Sequence, residues 1–179
     1  MVKVREVKIN CNPLEVYNVF KDEINTILLD SSKEDKVLSK FSFIGINPFM
    51  IFESKGQEAF INKVKVEGEP FIVLESLIDK YKCNDHDYDN IPLISGAIGY
   101  ISYDTGRILE KLPDTSDEDF NISDMKFIFY RNIIVFDLEN NKQYITSITD
   151  YGYNEELDCL EEKISLATII KEKNFESVN

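Results

Sequence analysis

The sequence predicts an α+β fold: largely antiparallel, sandwich-like β-sheets with flanking helices in a single domain. Short apolar runs with period-two alternation follow one another between Asn, Pro and Gly turn signals, as in an antiparallel meander. Helical stripes also occur, but they do not alternate regularly with strands as a doubly wound α/β fold requires. At 179 residues the chain is long enough for one domain with a sizeable core.

The first predicted elements are a strand and a helix. Val2 to Ile9 alternate with the period of a strand. Asn12 followed by Pro13 indicates a helix start, because Asn can cap a helix and Pro is tolerated at the first helical position. The stripe predicted to be buried by this helix comprises Leu14, Tyr17, Phe20 and Ile24.

A meander of strands is predicted next, followed by a second helix. Asn47-Pro48 and Lys55-Gly56 are turn signals between strands. Helical spacing of apolar residues predicts a helix over Pro70 to Tyr81, with Phe71, Leu74, Ile78 and Tyr81 on its stripe. The predicted strands are Thr26 to Asp30, Phe41 to Ile46, Phe49 to Ser54 and Glu58 to Val66.

A short buried strand with two glycines is predicted over Ile94 to Ile101. Gly96 and Gly99 are expected to allow close approach of this strand and a helix, because glycine has no Cβ. The residues that follow, Tyr103 to Leu112, can form a helix despite an internal glycine.

The last predicted elements are a hairpin and an amphipathic helix. Asn140 and Asn141 indicate a hairpin turn between Lys126 to Asp137 and Gln143 to Thr149. A final helix is predicted from Asn154 to about Lys173. Its apolar stripe comprises Leu157, Leu160, Ile164 and Ala167.

The composition excludes several classes of partner. A net charge of −13, from 33 acidic and 20 basic residues, argues against nucleic acid and against an anionic membrane surface, since both attract clustered Lys and Arg. No apolar run approaches the roughly 20 residues that span a bilayer, and the N-terminus lacks the apolar segment of a signal peptide. Cys11, Cys83 and Cys159 form no CxxC pair, which is typical of reduced thiols. We therefore expect a cytoplasmic protein.

No catalytic group emerges from the residues alone. The loop "NDHDYDN" has the Asp spacing of a calcium loop, but Asn90 and Gly96 stand where Gly and a bidentate Glu are required. His86 is the single histidine, so no zinc site with two imidazoles can form. Gly96 and Gly99 lack the rest of a nucleotide-binding motif. The chain by itself is therefore interpreted as a binding or regulatory domain.

Several segments, taken in order, resemble one known family. "LLDSS" and "KFSFIGINP" are followed further along the chain by "ISGAIGYISYDTGRILEKLP". This order resembles the N-terminal region of chorismate-utilising enzymes, component I of anthranilate synthase and of aminodeoxychorismate synthase. The hairpin "FIFYRNIIVFDLENNKQYI" and the last helix are similar to segments of the same family.

The resemblance implies that residues 1–179 are a non-catalytic, regulatory or structural N-terminal domain. The family's catalytic residues and Mg²⁺-binding glutamates would then lie in a C-terminal domain absent from this chain. The domain alone is accordingly expected to be inactive and to hold no cofactor or metal, with Mg²⁺ required by the full-length enzyme.

The resemblance leaves several functions open. The first is component I of aminodeoxychorismate synthase, which with a glutamine amidotransferase aminates chorismate on the way to 4-aminobenzoate and folate; the "LLDSS" variant favours it. The alternatives are anthranilate synthase component I, inhibited by tryptophan as end product, and a free-standing amino-acid-binding regulatory domain. The expected partners are the C-terminal chorismate-binding domain, the amidotransferase and tryptophan. Through exposed apolar surface, the isolated domain is also expected to form a homodimer.

The resemblance also implies a ligand site at Asp30, Ser31 and Lys40. The family's "LLES" segment belongs to a tryptophan-binding pocket, and by position Ser31 matches its serine and Asp30 its acidic residue. Lys40 stands where the family has Arg, and Phe41 where it has Tyr. A carboxylate and a hydroxyl at a strand end can hold an ammonium group by charge-assisted hydrogen bonds. The residues alone favour turn capping by Asp30 and Ser31, and only the resemblance makes the ligand site an equal alternative. In either case no catalytic role is expected of them.

Overall fold

A computed structural model of the chain describes residues 2–31, 40–83, 88, 90–106, 110, 122–148 and 153–176. It confirms the α+β class with an antiparallel sheet. In chain order the elements are β1 (Val2–Val7), α1 (Pro13–Phe20), β2 (Ile27–Leu29), β3 (Phe41–Lys55), β4 (Glu58–Ile61), β5 (Val64–Val66), α2 (Pro70–Tyr81), β6 (Ala97–Ile101), β7 (Met125–Asp137), β8 (Lys142–Ile148) and α3 (Tyr153–Glu176).

The eight strands belong to one hydrogen-bonded sheet with the order β1-β8-β7-β3-β4-β5, in which β2 also pairs with β3 and β6 with β7. Within the predicted domain the described residues form two compact units. The first is drawn from Met1–Pro48, Cys83–Ser95 and Tyr130–Asn179, and the second from Phe49–Lys82 and Gly96–Phe129. Strands β3 and β7 each run from one unit into the other.

The core of the first unit is formed by both of its helices and four of its strands. The stripe predicted on the last helix is confirmed, because all four of its residues are buried. They pack in one cluster with residues of α1, β1, β3, β7 and β8. The cluster comprises Val7, Cys11, Val16, Phe20, Ile44, Ile46, Ile134, Phe136, Ile145, Leu157, Leu160, Ile164 and Ala167.

Helix α1 begins where the sequence predicts, with a reciprocal cap. The Asn12 Oδ1 atom accepts a hydrogen bond from the Glu15 amide at 2.8 Å, and the Asn12 amide donates to Glu15 Oε2 at 2.8 Å. Two amide groups that the first turn would leave unpaired are thereby satisfied.

The buried face predicted for α1 is partly wrong. Val16 and Phe20 are the fully buried residues of the helix, whereas Leu14 is 54% exposed and Ile24 is 81% exposed. The helix ends at Phe20, so Ile24 lies beyond it and cannot continue the stripe. Val16 and Phe20 are four residues apart and therefore share one face.

The second unit has its own core around α2, whose bounds agree with the prediction. Phe49 packs against Tyr81 and Phe129, with ring centroids 5.1 and 6.3 Å apart. Of the predicted stripe, Ile78 is the exception, because it is 41% exposed. The buried cluster comprises Met50, Phe52, Ala59, Leu74, Met125 and Phe129.

Of the two turns predicted in the meander, Lys55-Gly56 is confirmed, since β3 ends at Lys55 and β4 begins at Glu58, but the other is wrong. Asn47-Pro48 does not end a strand, and β3 continues through it. Asn47 adopts a positive φ of 53°, and its side-chain amide donates to Asn132 Oδ1 at 2.7 Å. The single strand predicted after Gly56 is instead two strands, β4 and β5. Their turn residues, Asn62 and Lys63, have φ of 49° and 67°, which is the geometry of a tight hairpin.

The close approach predicted at Gly99 exists, but its partner is a strand instead of a helix. A Cβ built on Gly99 would lie 2.0 Å from the Lys126 carbonyl oxygen and 2.7 Å from the Phe127 Cα. The prediction that this strand is buried is wrong for its second half, since Tyr100 and Ile101 are exposed. Of the helix predicted next, the described residues show a 3₁₀ turn, Tyr103–Thr105, and a helical hydrogen bond from the Glu110 amide to the Gly106 carbonyl at 2.9 Å.

The predicted hairpin between β7 and β8 is confirmed. Asp137 pairs with Lys142 across its end, and Asn141 in the turn has a positive φ of 52°. The Asp137 carboxylate accepts hydrogen bonds from the backbone and the side chain of Asn140, at 2.9 and 2.8 Å.

The start of β2 is anchored by Tyr130 of β7. The Tyr130 hydroxyl donates to the Asn25 carbonyl at 2.6 Å. Burial raises the pKa of this hydroxyl, so it remains a donor at neutral pH. Its ring lies against Gly45 so closely that a Cβ there would be 2.7 Å from the ring carbons. Gly45 in turn pairs with Ile27, the first residue of β2.

Candidate ligand-binding site

The pairing of β2 with β3 brings Asp30 and Ser31 beside the first residues of β3. Leu29 pairs with Phe43, and the same antiparallel register, carried past the end of β2, puts Asp30 opposite Ser42 and Ser31 opposite Phe41. Positions that are far apart in sequence thus meet through strand pairing.

Three hydrogen bonds fix this strand end. The buried Ser42 hydroxyl donates to Asp30 Oδ1 at 2.9 Å and accepts from the Ser31 amide at 3.0 Å. The Ser31 hydroxyl donates to the Phe41 carbonyl at 2.6 Å. These bonds hold the side chains of Asp30 and Ser31 in defined positions beside the start of β3.

Lys40, the third predicted site residue, forms an ion pair at the surface. Its Nζ atom lies 3.0 Å from Glu139 Oε2, and the side chains of Lys40 and Glu139 are 42% and 53% exposed. An ion pair this exposed contributes about 0–1 kcal/mol to stability. Lys40 could therefore leave Glu139 and pair with the carboxylate of a ligand at little cost in free energy.

An open cleft of about 640 Å³ is lined by all three predicted residues. This volume falls within the range of small-molecule sites. The Phe41 and Phe43 rings in its wall are stacked, with centroids 6.1 Å apart and an interplanar angle of 18°. Beside the polar side chains of Asp30, Ser31 and Lys40, the apolar lining comprises Leu28, Leu29, Phe41, Phe43, Pro92 and Leu93. A cleft that combines polar side chains with an apolar lining suits an amphipathic ligand.

Sequence reasoning missed Ser42, Glu139, Pro92 and Leu93. Ser42 left a signal, because it alternates with Ile44 and therefore points toward the core, where a hydroxyl needs a partner. The other three lie in loops distant in sequence, and no local pattern connects them with Asp30.

A larger cavity of about 800 Å³ lies in the first unit beside the connection of β1 to α1. Two pairs of polar groups in its lining are already bonded to one another. Lys142 Nζ lies 3.2 Å from Glu6 Oε2, and Gln143 Oε1 accepts from the Ile9 amide at 3.2 Å. We assign no ligand to it.

A profile of the chorismate binding enzyme family matches residues 24–177. The chain belongs to this family. The resemblance seen in the sequence is thereby confirmed.

The chain is similar to several curated proteins that are named as components of synthases. It is 28% identical over 139 residues to anthranilate synthase component 1 of Acetivibrio thermocellus, which covers 74% of the chain and 28% of that relative. It is 24% identical over 128 residues to aminodeoxychorismate synthase component 1 of Escherichia coli K12, covering 69% of the chain and 28% of the relative. The chain thus spans about a third of the length of the curated relatives it matches.

The fold of the chain also matches that of part of a solved structure. The crystal structure of anthranilate synthase component I from Streptococcus pneumoniae TIGR4 superposes with a TM-score of 0.55 and 23% sequence identity. The match covers 95% of the chain and 37% of the solved protein.

The described part of this chorismate binding enzyme chain contains no group of three His, Cys, Asp or Glu residues that could hold a metal ion. The acidic residues of the loop expected not to bind calcium, Asp85, Asp87 and Asp89, lie outside the described residues, as does His86. None of the described helices is long and apolar enough to cross a membrane.

The expected homodimer stays a prediction; Tyr100, Ile101 and Tyr103 are among the exposed large apolar residues.

Proposed function

We propose that the chain is a non-catalytic domain of component I of a chorismate-aminating synthase, and that its cleft binds an amino acid. The observation that carries this proposal is the convergence of Asp30, Ser31 and Lys40 on one cleft with an apolar wall. The acceptors at Asp30 and Ser31 suit an ammonium group, Lys40 suits a carboxylate, and the stacked Phe41 and Phe43 suit an aromatic side chain.

Both branches of chorismate amination stay candidates. Anthranilate synthase components predominate among the relatives compared, which favours the tryptophan branch. The "LLDSS" segment favours the aminodeoxychorismate branch, which leads to 4-aminobenzoate and folate. In either branch the proposed partners are a C-terminal chorismate-binding domain and a glutamine amidotransferase that supplies ammonia. The relatives' designation as component 1 supports a second component.

We place this activity in the cytoplasm. Cys11, Cys83 and Cys159 all lie within the described residues and none forms a disulfide. Unbridged cysteines are typical of a reducing compartment.

Ser31→Phe is expected to weaken tryptophan binding to the full-length protein by about tenfold or more, equivalent to about 1.4 kcal/mol. The phenyl ring would fill the part of the cleft that Ser31 lines, and the substitution would remove a hydrogen-bond acceptor. Isothermal calorimetry measures the affinity. Ser76→Phe on α2 is the matched control, since Ser76 is exposed and does not line the cleft. Equal affinities of the wild type and Ser31→Phe for tryptophan would show that Ser31 does not contact the ligand and has only a turn-capping role.

The 179-residue chain alone is expected to form no aminated product from chorismate, ammonia and Mg²⁺. Its described residues bring together no acid, base and nucleophile that could act on a substrate. Chromatographic detection of product measures the activity, with full-length protein assayed in parallel as the positive control. Product formed by the chain alone would overturn the proposed separation of catalysis from this domain.

A further inference from the structure

We infer that the open edge of β6 pairs with β6 of a second copy of this chain, so that the two sheets join antiparallel about a two-fold axis at Gly99. The contact consists mainly of backbone hydrogen bonds between the two strands. It is independent of the proposed ligand, because β6 lies in the second unit and the residues that line the cleft all lie in the first.

The first step compares β6 with the other edges of the sheet. Among the described residues, β1, β2, β5 and β6 each pair with a single neighbouring strand. Open edges attract other chains, and proteins protect them by making the strand short or by placing charges on it. Strands β2 and β5 have three residues each, and β1 carries Lys3, Arg5 and Glu6. Strand β6 has five residues without a charge or a proline, so it lacks both kinds of protection.

The second step identifies the backbone groups that point away from β7. The Ser102 amide donates to the Asp124 carbonyl at 2.7 Å, and this bond continues the register of β6 on β7. In an antiparallel pair, residues that bond to the neighbouring strand alternate with residues that face away from it. Ser102 and every second residue before it therefore bond to β7. The amides and carbonyls of Ala97, Gly99 and Ile101 point to the open edge.

The third step is the accessibility of this edge. Gly99 is exposed, and a glycine has only its backbone to expose. Tyr100 and Ile101 are exposed as well. The edge thus presents accessible backbone donors and acceptors beside apolar side chains, which is the surface that β-strand addition uses.

The fourth step is the match of this edge to itself. A two-fold axis at Gly99 puts Gly99 opposite Gly99 of the second copy, and Ala97 opposite Ile101 of the second copy. Each of these residues points both its N–H and its C=O at the partner strand, so every donor meets an acceptor. The two glycines at the axis leave room for the backbones to approach.

The fifth step is the charge of the contact. Two copies of a chain with a net charge of −13 repel each other, so they can associate only through a surface without charge. Ser95 to Ser102 contain no charged residue. On one face of the joined sheets, Ile98 would lie opposite Tyr100 of the second copy, an aliphatic and aromatic pair of the kind that stabilises neighbouring strands. A second copy therefore supplies the uncharged strand that this edge fits.

The test begins with the mass and the amide exchange of the 179-residue chain. Sedimentation equilibrium is expected to show a weak dimer that forms as concentration rises, because strands of five residues bury little surface. Hydrogen exchange measured by NMR is expected to slow at Gly99 and Ile101 only at concentrations that form the dimer. The Tyr100 amide bonds to β7 and is expected to be protected at all concentrations.

Ile101→Pro removes an N–H group that points to the open edge and leaves the bonds between β6 and β7 in place. Proline is tolerated on an edge strand at such a position. The variant is expected to weaken dimerisation by about tenfold or more, since one hydrogen bond is lost from each copy. Ile101→Asp places a negative charge at the same position and decides the test if proline disturbs the fold. Ile72→Asp on α2 is the matched control, because Ile72 is equally exposed to solvent and lies outside the edge.

A chain that stays monomeric while Gly99 and Ile101 exchange freely would overturn the inference. A dimer that both Ile101 variants leave intact would show that another surface is used. Protection of these two amides only in the full-length protein would assign the edge to the rest of that protein and would also contradict pairing with a second copy. None of these results depends on tryptophan binding, so the inference and the proposed function can fail separately.

Discussion

Gly99→Ala is expected to lower the free energy of unfolding by about 3 kcal/mol, the upper part of the range for overpacked sites. The added Cβ would lie 2.0 Å from the Lys126 carbonyl oxygen and 2.7 Å from the Phe127 Cα. Both atoms belong to the backbone of β7, which cannot rotate away as a flexible side chain could. Phe129, further along the same strand, is fully buried and holds β7 in the second core.

Urea unfolding followed by circular dichroism measures this loss, and amide hydrogen exchange reports whether β6 has separated from β7. Gly56→Ala is the control, because a Cβ on Gly56 meets no atom within 4 Å. Its φ of 52° still makes alanine unfavourable there, by about 1 kcal/mol. A loss at Gly99 no larger than the loss at Gly56 would show that β7 accommodates the added Cβ, and would contradict the proposed role of this contact.

Phe20→Ala is expected to destabilise the protein by about 3–5 kcal/mol, the usual cost of removing a buried phenyl ring. Phe20 is 1% exposed and belongs to the first core. The Lys163 ammonium also lies 4.9 Å from the centroid of its ring, so the substitution removes a cation–π contact with α3.

Leu14→Ala tests the same helix on its other face. Leu14 is 54% exposed, so its truncation is expected to cost about 0.5 kcal/mol or less. Thermal unfolding of both variants measures the difference. If Leu14→Ala proved as costly as Phe20→Ala, the stripe predicted from the sequence would be correct and the observed orientation of α1 would be wrong.

The sequence predicts those elements whose signals are local. Pro70 begins α2 as expected, because its ring suits the first turn of a helix. The four-residue apolar stripe of α3 is buried in full, since a long amphipathic helix has one face that a core can cover. The Asn140-Asn141 turn is likewise specified by residues within the hairpin itself.

Elements that depend on distant residues are not predictable in this way. Asn47-Pro48 has the composition of a turn, yet β3 passes through it because the side chain of Asn47 bonds to Asn132, 85 positions away. The orientation of α1 depends on where the helix stops, and Phe20 is its last residue. Tertiary contacts override local preference at both places.

The candidate site divides along the same line. The resemblance to the family identifies Asp30, Ser31 and Lys40, and the structure places all three on one cleft. Their partners Ser42 and Glu139 become visible only once the strand register and the β7–β8 hairpin are known. Partners that are close only in space cannot be predicted from the local sequence around Asp30, Ser31 and Lys40.

The three-residue strand β2 is tethered at both of its ends. The Tyr130 hydroxyl holds the Asn25 carbonyl before it, and the Ser42 hydroxyl holds the Ser31 amide after it. A strand of three residues forms few hydrogen bonds with its neighbour. The hydrogen bonds of these two buried hydroxyls therefore help to fix its position. Ordering of both ends of β2 is thus part of folding itself, and a ligand at the proposed site would not have to supply it.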